Sequence, residues 1–600
     1  MALNLRLKQL ECVTRMLNLN QPLDPSEEFY KVLIYDDFCK DVIAPLMPVK
    51  DLRRQGVTLE SLISNEKRKY VSAVAVYFVR PTEANIRRII ADVSSSLYDN
   101  FHFNFSSSIP RPLLESLASG TLDSGSIERV SKVCDQYLEF ATLEDNLFSL
   151  EQDSVYLQLN DPSATDGEIE EIIGKVANGI FCVLATLSVV PVIRCPRGGP
   201  AEMVATSLDQ KLRDHLLSKN HLFSGGSLSS FQRPLLCIFD RNFELSVGIQ
   251  HDFRYRTLVH DVLGLKLNAL KLPGEKLGEK ETFVDISDPF WCANGSLEFP
   301  QVAMEIETQL NKYKKDVEEV NKRTTGGEST DVMMIVNTKN LMNAVNSLPE
   351  LTERKKVIDK HTNIATLLLR EIKERSLDVF TEKENDMMIR GGSIDMSDLL
   401  SVLKGKGTKM DKIRFAIMYL ISLETINQVE AEAVEAALRE AEADTSAFRY
   451  VKKIKSLNVS MEANSASRSN ILYGQSISAV TAGVKNLLTG DQKLAVARTV
   501  EALTEGTPNQ ETDSYLMLDT RASKSGSSGG SSSGSNAMGP FREAIVFMVG
   551  GGNYIEYNSL QDLSQRQETV KNIIYGATEM LTGAELVEQL ALLGQKMGLR

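Results

Sequence analysis

The chain has 600 residues, 42% hydrophobic and 24% charged, with a net charge of −13 and a pI near 5.3. That length exceeds what one hydrophobic core serves and predicts three or four domains. The acidic balance argues against a general nucleic-acid binder, which carries a basic footprint.

In chain order, the start "MALNLRLKQLECVTRML" lacks the long apolar run of a signal peptide. "KVLIYD" (Lys31 to Asp36) and "VSAVAVYFV" (Val71 to Val79) read as buried strands, and "NFHFNF" gives another near residues 100–105. A helix is expected from Thr82, with Ile86, Ile89 and Ile90 at helical spacing. The spacing predicts a second helix over 126–140, where Val130, Val133, Cys134 and Tyr137 recur at i, i+3, i+4 and i+7. Alternating strands and helices predict a parallel sheet with helices on both faces.

The most apolar stretch, "IFCVLATLSVVPVI" (Ile180 to Ile193), is too short for a bilayer span and reads as a buried helix leading into a strand. "VVPVIRC" and "PLLCIFDR" continue this second α/β region. "AIVFMV", of the same type, lies some 300 residues later, so one sheet is expected from two separated parts of the chain. Between them the pattern is helical. Val302, Ile306, Leu310, Tyr313, Val317 and Val320 form a one-sided stripe, and a helix from Asp331 is expected to stop at Pro349. Ala522 to Gly539 is a Gly/Ser tract that reads as a flexible tether.

Candidate chemistry is sparse. "VGGGNY" places Gly550, Gly551 and Gly552 between a strand and a helix, the setting of a phosphate cradle. It completes neither G-x-G-x-x-G nor G-x-x-x-x-G-K-[ST], so a tight turn is the expected role. Asp240 and Arg241 stand at a strand end where α/β ligands gather, and "RCPRGG" (Arg194 to Gly199) is a candidate anion turn. Neither has an accompanying base or ligand set, and both read as structural. The cysteines are Cys12, Cys39, Cys134, Cys182, Cys195, Cys237 and Cys292, odd in number and without C-x-x-C. With no H-E-x-x-H, no disulfide framework, zinc site or cofactor is expected, and a reducing compartment fits. A nucleotide-dependent α/β enzyme using the glycine turn is the rival from another class.

Two apolar faces remain. The Val130–Tyr137 stripe suits a shallow groove that takes a peptide's aromatic anchor, with core packing as the plainer role. In "SISAVTAGVKNLLTG", Ile477, Val480, Val484, Leu487 and Leu488 fall within about a 100° arc, opposite a nearly uncharged face. That pattern fits a lipid-inserting interfacial helix or a cover docked on the protein itself.

Taken in order, "KVLIYDDFCKDVIAPLMPVKDLR", "AVYFVRPTEANI", "CDQYLEFATLEDNLFSL", "VIRCPRGGPAEMV", "FQRPLLCIFDRNFEL", "LVHDVLG" and "EAIVFMVGGGNYIEY" resemble the SM (Sec/Munc) family of SNARE regulators, most closely its Sly subfamily, from about residue 10 to 595. The resemblance implies an arch-shaped fold of class α/β plus α, with two parallel-sheet domains and a mostly helical domain bearing a protruding helical hairpin. Residues 1–150 would form domain one, 151–264 with 540–600 a discontinuous domain two, and 265–505 the helical domain with a lid-like loop at 459–500. Residues 506–539 would be linker.

It also implies a non-enzymatic chaperone of ER–Golgi transport that captures a Golgi Qa-SNARE (syntaxin) by its N-terminal peptide and templates SNARE assembly. The vacuolar and plasma-membrane SM pathways are the nearer alternatives. The implied peptide pocket is Val130, Val133, Cys134, Asp135, Tyr137 and Leu147. The implied SNARE-helix hairpin has its tip at "NSLPEL", with Leu348 and Pro349, followed by Arg354, Lys355, Lys356 and Lys360. The implied lid or membrane helix is Ile477 to Leu488. A cytoplasmic monomer in peripheral contact with ER and Golgi membranes is expected, with tethering factors as further candidate partners.

Overall fold

The computed structural model describes residues 3–21, 30–217, 221–223, 233–273, 279–325, 331–389, 394–423, 425–464, 493–506, 512–521, 540–566 and 572–599. Five strands, all paired in parallel, make the first sheet: β1 (Lys31–Tyr35), β2 (Val57–Leu62), β3 (Val71–Val79), β4 (Tyr98–Phe105) and β5 (Val130–Asp135). Their order is β2-β1-β3-β4-β5, which leaves β5 at an edge. Strand alternation sends Phe101, Phe103 and Phe105 to one face, against Ile86 and Ile89 of α2 (Glu83–Ser94) and Leu117 of α3 (Arg111–Asp123). On the other face Leu33, Tyr35, Val76 and Phe78 join a larger core with α1 (Leu5–Leu17).

That larger core is shared with the second layer. Its apolar helix α4 (Asp166–Leu187) and the following α5 (Pro200–Leu217) pack between the two sheets. The second sheet has seven strands: β6 (Ala141–Glu144), β7 (Leu147–Ser149), β8 (Val192–Cys195), β9 (Leu235–Asp240), β12 (Leu516–Asp519), β13 (Glu543–Val549) and β14 (Asn572–Ala577). The order is β12-β8-β9-β13-β14-β7-β6, and β10 (Ala269–Pro273) with β11 (Glu279–Phe283) forms a separate hairpin. The central strands are buried on both faces, which is why they read as unbroken apolar runs. Leu236 and Ile238 face the shared core, and Leu235, Cys237 and Phe239 face the helical region.

Between β9 and β13 the chain supplies the helical region. Two long helices, α6 (Phe299–Thr325) and α7 (Asp331–Arg375), run back along each other, followed by α8 (Leu377–Ile389), α9 (Lys409–Ser422) and α10 (Ala495–Glu505). The roots of the long pair, Val302 and Ile306 against Ile364, Leu368 and Ile372, pack on the second sheet. The chain returns through α11 (Tyr554–Arg566) and α12 (Gly583–Lys596).

Four sequence expectations fail here, one of them the linker: within 506–539, Leu516–Asp519 form β12 on the edge of the second sheet, paired with β8. Residues 126–140 are not a helix: after a short 3-10 turn at Ile127–Arg129 the chain forms β5. Pairing with β4 wins, because Val130 packs against the phenylalanine face of the sheet and Val133 stands in register with Phe103. Leu147 does not belong to the first sheet. It is fully buried in the second, paired with Tyr575, and the neighbouring Glu144 accepts from Trp291 Nε1 (2.8 Å) and pairs with Arg256 (3.2 Å). Pro349 does not end its helix either, since α7 continues through it. An interior proline costs about 3 kcal/mol, and packing of the following turns outweighs that: Leu351, Ile358 and Ile364 are buried.

The glycine turn closes the second sheet. Gly550 (φ 87°) and Gly551 (φ 97°) lie in the left-handed region, and a side chain on Gly552 would overlap the Tyr575 hydroxyl. The N–H groups of Gly550 and Gly551 donate to Thr578 Oγ1 (3.1 and 2.9 Å), so these donors are spent internally. Arg241, 1% exposed, donates to both carboxylate oxygens of Glu556 (2.6 and 3.1 Å), to Gly551 O (3.2 Å) and to Glu244 O (2.7 Å). The Tyr575 hydroxyl also donates to Glu556. Removing one partner of such a buried pair strands the other charge. Arg241→Met is expected to lower stability by about 3–5 kcal/mol, read as an earlier urea midpoint; an unchanged midpoint would show that the pair holds nothing together.

Candidate functional site

The first candidate surface is the β5 edge. Between Phe101 and His102 the β4–β5 register shifts, so Phe101 opposes Val130 while Phe103 opposes Val133. Residues three apart normally point to opposite faces of a strand; the extra residue at this bulge returns both valines to the same face. That is how a helix-like spacing arose in a strand. Val130 packs partly against the phenylalanine core, and Val133 is 41% exposed. Asp135 follows at the rim, where its Oδ1 accepts from Ile109 N (3.2 Å).

The other predicted pocket residues separate. Cys134 lies on the opposite face, paired in register with Asn104, and its sulfur accepts from Asn20 Nδ2 (3.6 Å). Tyr137 (φ 55°) turns away from the strand: its ring meets Phe181 of α4 edge-on (5.8 Å), and its carbonyl accepts from Thr186 Oγ1 (3.1 Å). With Leu147 buried in the second sheet, three of the six, Val130, Val133 and Asp135, remain at one edge.

Sequence reasoning passed over α3. It flanks β5 through the 3-10 turn, and it leaves Leu114 (40%) and Leu122 (63%) exposed. The adjacent Ile127 is 48% exposed. Gly120 sets the helix's seat, because a Cβ there would meet Ile90 at 2.7 Å. The signal was available: Pro112 at the helix start, then Leu113, Leu114 and Leu117 at helical spacing.

The second candidate surface is the helix pair. Along α6 the apolar stripe passes from buried (Val302, Ile306) to half-buried (Leu310, Tyr313, Val317) with distance from the root. The expected hairpin tip at Pro349 lies inside α7, and the segment 326–330 that joins α6 to α7 lies outside the described residues. The predicted basic cluster is mostly engaged. Arg354 bridges to Asp316 of α6 (2.7 Å), Lys356 pairs with Glu353 (2.6 Å), and Lys360 pairs with Asp288 and donates to Phe283 O (3.1 Å). Lys355 is exposed, Pro349 is exposed, and nothing is described of the Leu348 side chain. The five predicted lid residues, Ile477, Val480, Val484, Leu487 and Leu488, lie outside the described residues.

Buried polar groups fix the pair's root. His361 shares Asp288 through Nε2 (2.9 Å) and Tyr255 Oη through Nδ1 (2.8 Å). At the far end of α7, Arg375 donates twice to Asp411 of α9 (2.6 and 3.0 Å). Asp411 also faces His251 (3.3 Å), whose other ring nitrogen meets Glu384 of α8 (2.8 Å). Burial raises the Asp411 carboxyl, but hydrogen bonds and charge from His251 and Arg375 outweigh it and hold the group well below its ordinary value. For His251, burial and Arg414 act downward and are outweighed by Glu384 and Asp411, leaving it above 6.5.

At the strand ends of the second sheet the candidate chemistry is self-satisfied. Asp240 accepts from the backbone of Asn242 and Ala201, so it occupies the α5 N-terminus that an anion would need. Burial still pushes its carboxyl up to about 6. Arg194 and Arg197 of "RCPRGG" donate to the carbonyls of Thr512 (2.7 Å) and Ser514 (3.2 Å). Among the described residues no group of His, Cys, Asp and Glu is arranged to hold a metal, and no helix is long and apolar enough to cross a membrane.

Two sheet layers sharing a core, a long helix pair rooted on the second, and an open apolar strand edge on the first define an SM-type scaffold. The chain belongs to the Sec1 family, whose profile matches residues 31–589. It is 72% identical to the SEC1 family transport protein SLY1 of Arabidopsis thaliana, over 100% of this chain and 98% of that one. It is 38% identical to human Sec1 family domain-containing protein 1, over 99% of this chain and 98% of that one. Among solved structures it is similar to Sly1p in complex with an N-terminal peptide of Sed5p, with a TM-score of 0.77, 31% identity and 99% of both chains covered.

The His251–Asp411 contact gives stability a defined pH dependence. A histidine raised on folding stabilises below about pH 6.5, and the gain is lost as pH rises through its folded value. A lowered carboxyl stabilises above about pH 4, and the gain is lost on acidification. The stability gap between the parent and His251→Gln is expected to narrow from about pH 6 to 9, and the gap for Asp411→Asn to narrow below about pH 4. Urea denaturation across that range measures both.

Proposed function

We propose that this chain is a SNARE-binding regulator of ER–Golgi transport that takes the N-terminal peptide of a Qa-SNARE at the β5 edge and aligns SNARE helices along α6 and α7. The observation that carries the reading is a half-exposed Val133 on β5, the edge strand of the first sheet, with Leu114 and Ile127 of the preceding helix and turn also exposed. It occurs in a chain similar over its whole length to a protein solved with an N-terminal peptide of a partner. An aromatic or leucine anchor buried there contributes about 1.5–3 kcal/mol.

The work is done by holding chains in order, with no covalent step. Free energy comes from binding the half-assembled SNARE state more tightly than the separate chains. The protein acts from the cytoplasm on ER and Golgi membranes, as a monomer, with tethering factors as additional partners. A nucleotide enzyme is disfavoured because the Gly550–Gly552 N–H groups and the neighbouring arginine are already bonded within the fold. Strong thermal stabilisation by ATP, GTP or NAD would reverse that preference.

Fluorescence anisotropy with the Sed5p N-terminal peptide tests the site. Val133→Arg sets a charge on the anchor's seat and is expected to weaken binding by roughly tenfold to a hundredfold. Affinity equal to the parent's would end the reading. The apolar arc at Ile477–Leu488 adds, from sequence alone, a cover over the helix pair. Deleting 459–500 is expected to raise capture of SNARE helices in a pull-down, and no change in capture or in liposome flotation would refute a cover.

A further inference from the structure

The face of β5 turned away from the valines is held by the end of α1. Lys132 follows the bulge directly, opposite His102, and its ammonium donates to the carbonyls of Leu19 (3.1 Å) and Asn20 (3.3 Å). Both of those residues are in the left-handed region (φ 60° and 53°), which aims their carbonyls off the helix end. The Asn20 side chain then spans three groups: its Nδ2 donates to Asn104 Oδ1 (3.1 Å) and to Cys134 Sγ (3.6 Å), and its Oδ1 accepts from Gln136 Nε2 (3.2 Å). Gln136 also donates to Asn104 (2.8 Å), which donates on to Tyr77 O (3.1 Å). Asn104 is 1% exposed and Gln136 8%.

An edge strand has ladder bonds on one side only, and a bulge loosens that ladder further. Here the bulge decides whether Val130 and Val133 share a face at all. What fixes it is the polar contact on the strand's back, made by a segment more than 110 positions earlier in the chain.

We propose that the end of α1 is a brace for the β5 edge, with Lys132 and Asn20 as positioning residues that set Val133 for the incoming peptide. Neither side chain reaches the valine face, and both act through the strand between. The inference rests on the β5 edge being the peptide site, so its test carries a control for that reading.

The full chain is titrated with the Sed5p N-terminal peptide by anisotropy, alongside hydrogen exchange of the β5 amides and thermal unfolding. Lys132→Met and Asn20→Gly, the second keeping the left-handed backbone, are each expected to weaken binding about five- to tenfold. Both are expected to speed β5 exchange and to leave the unfolding midpoint in place. Lys132→Arg, which still reaches the two carbonyls, is expected to restore affinity to within about twofold of the parent. If Val133→Arg abolishes binding while Lys132→Met and Asn20→Gly bind like the parent, the brace is overturned and the site stands. If affinity falls but Lys132→Arg restores nothing, the brace is overturned as well. If Val133→Arg also binds like the parent, the site itself is wrong.

Discussion

The fold depends on the pairing of β9 with β13. Ala544 to Val549 lie in register with Leu235 to Asp240, across some 300 residues of intervening chain. Parallel pairing at such separation is costly to find, because loop closure comes before any contact returns free energy. It is made specific by what stands at the strand ends. Arg241 leaves β9 and meets Glu556, which leaves β13 through the glycine turn, and Tyr575 of β14 completes the contact. Buried ion pairs add little net stability. Their value here is that a one-residue slip would separate two charges and leave both unpaired in the core. Glu244, next to Arg241, extends the junction by accepting from the first N–H groups of α10, at 3.3 and 3.4 Å.

Once that sheet is closed, the helical region becomes an insertion with both ends tied to one layer. The root of the helix pair packs on the sheet's outer face through Val302, Ile306, Ile364 and Leu368. Charged groups fix its angle: Asp288 with His361 and Lys360 on one side, Asp411 with Arg375 and His251 on the other. Apolar contact alone would allow the helices to slide; hydrogen-bonded charges with fixed partners do not. Farther out, Arg354 and Asp316 bridge the pair where the stripe is only half-buried.

The layers were legible where strands are buried on both faces, because β9 and β13 are unbroken apolar runs that no surface helix would carry. They were illegible at β5. An edge strand shows polar residues on an open face, and its bulge moved the valines to a spacing of three, which counts as helical by periodicity. Leu147 was misplaced for a different reason: the short strands β6 and β7, of four and three residues, cross to the second sheet, and only β7's partner β14, more than 400 residues on, reveals it. Pro349 carried a local rule that tertiary packing overrode. Of the six residues expected to form a peptide pocket, Val130, Val133 and Asp135 stand together on β5, and Cys134, Tyr137 and Leu147 do not join them. The helix α3 drew no notice because its exposed Leu114 and Leu122 look like ordinary surface in the sequence.

On the proposed function, the two surfaces belong to different layers, and their separation is set by the core those layers share. Leu33, Val76 and Phe78 of the first sheet pack with α4 and with Ile238, Ile545 and Phe547 of the second. A close-packed core of that kind does not compress or slide appreciably. A ligand held at the β5 edge is thereby kept at a fixed reach from the helix pair, and its second contact becomes intramolecular. Linking two weak contacts in this way raises the local concentration at the second site to about millimolar for a short flexible tether. Neither surface then needs high affinity alone, which suits a half-exposed valine edge and a stripe that is only partly covered. Such contacts hold a chain long enough to align it and release it when a tighter partner arrives. The rigidity of the buried layers and the modest apolar area at the two surfaces are thus complementary requirements of one task.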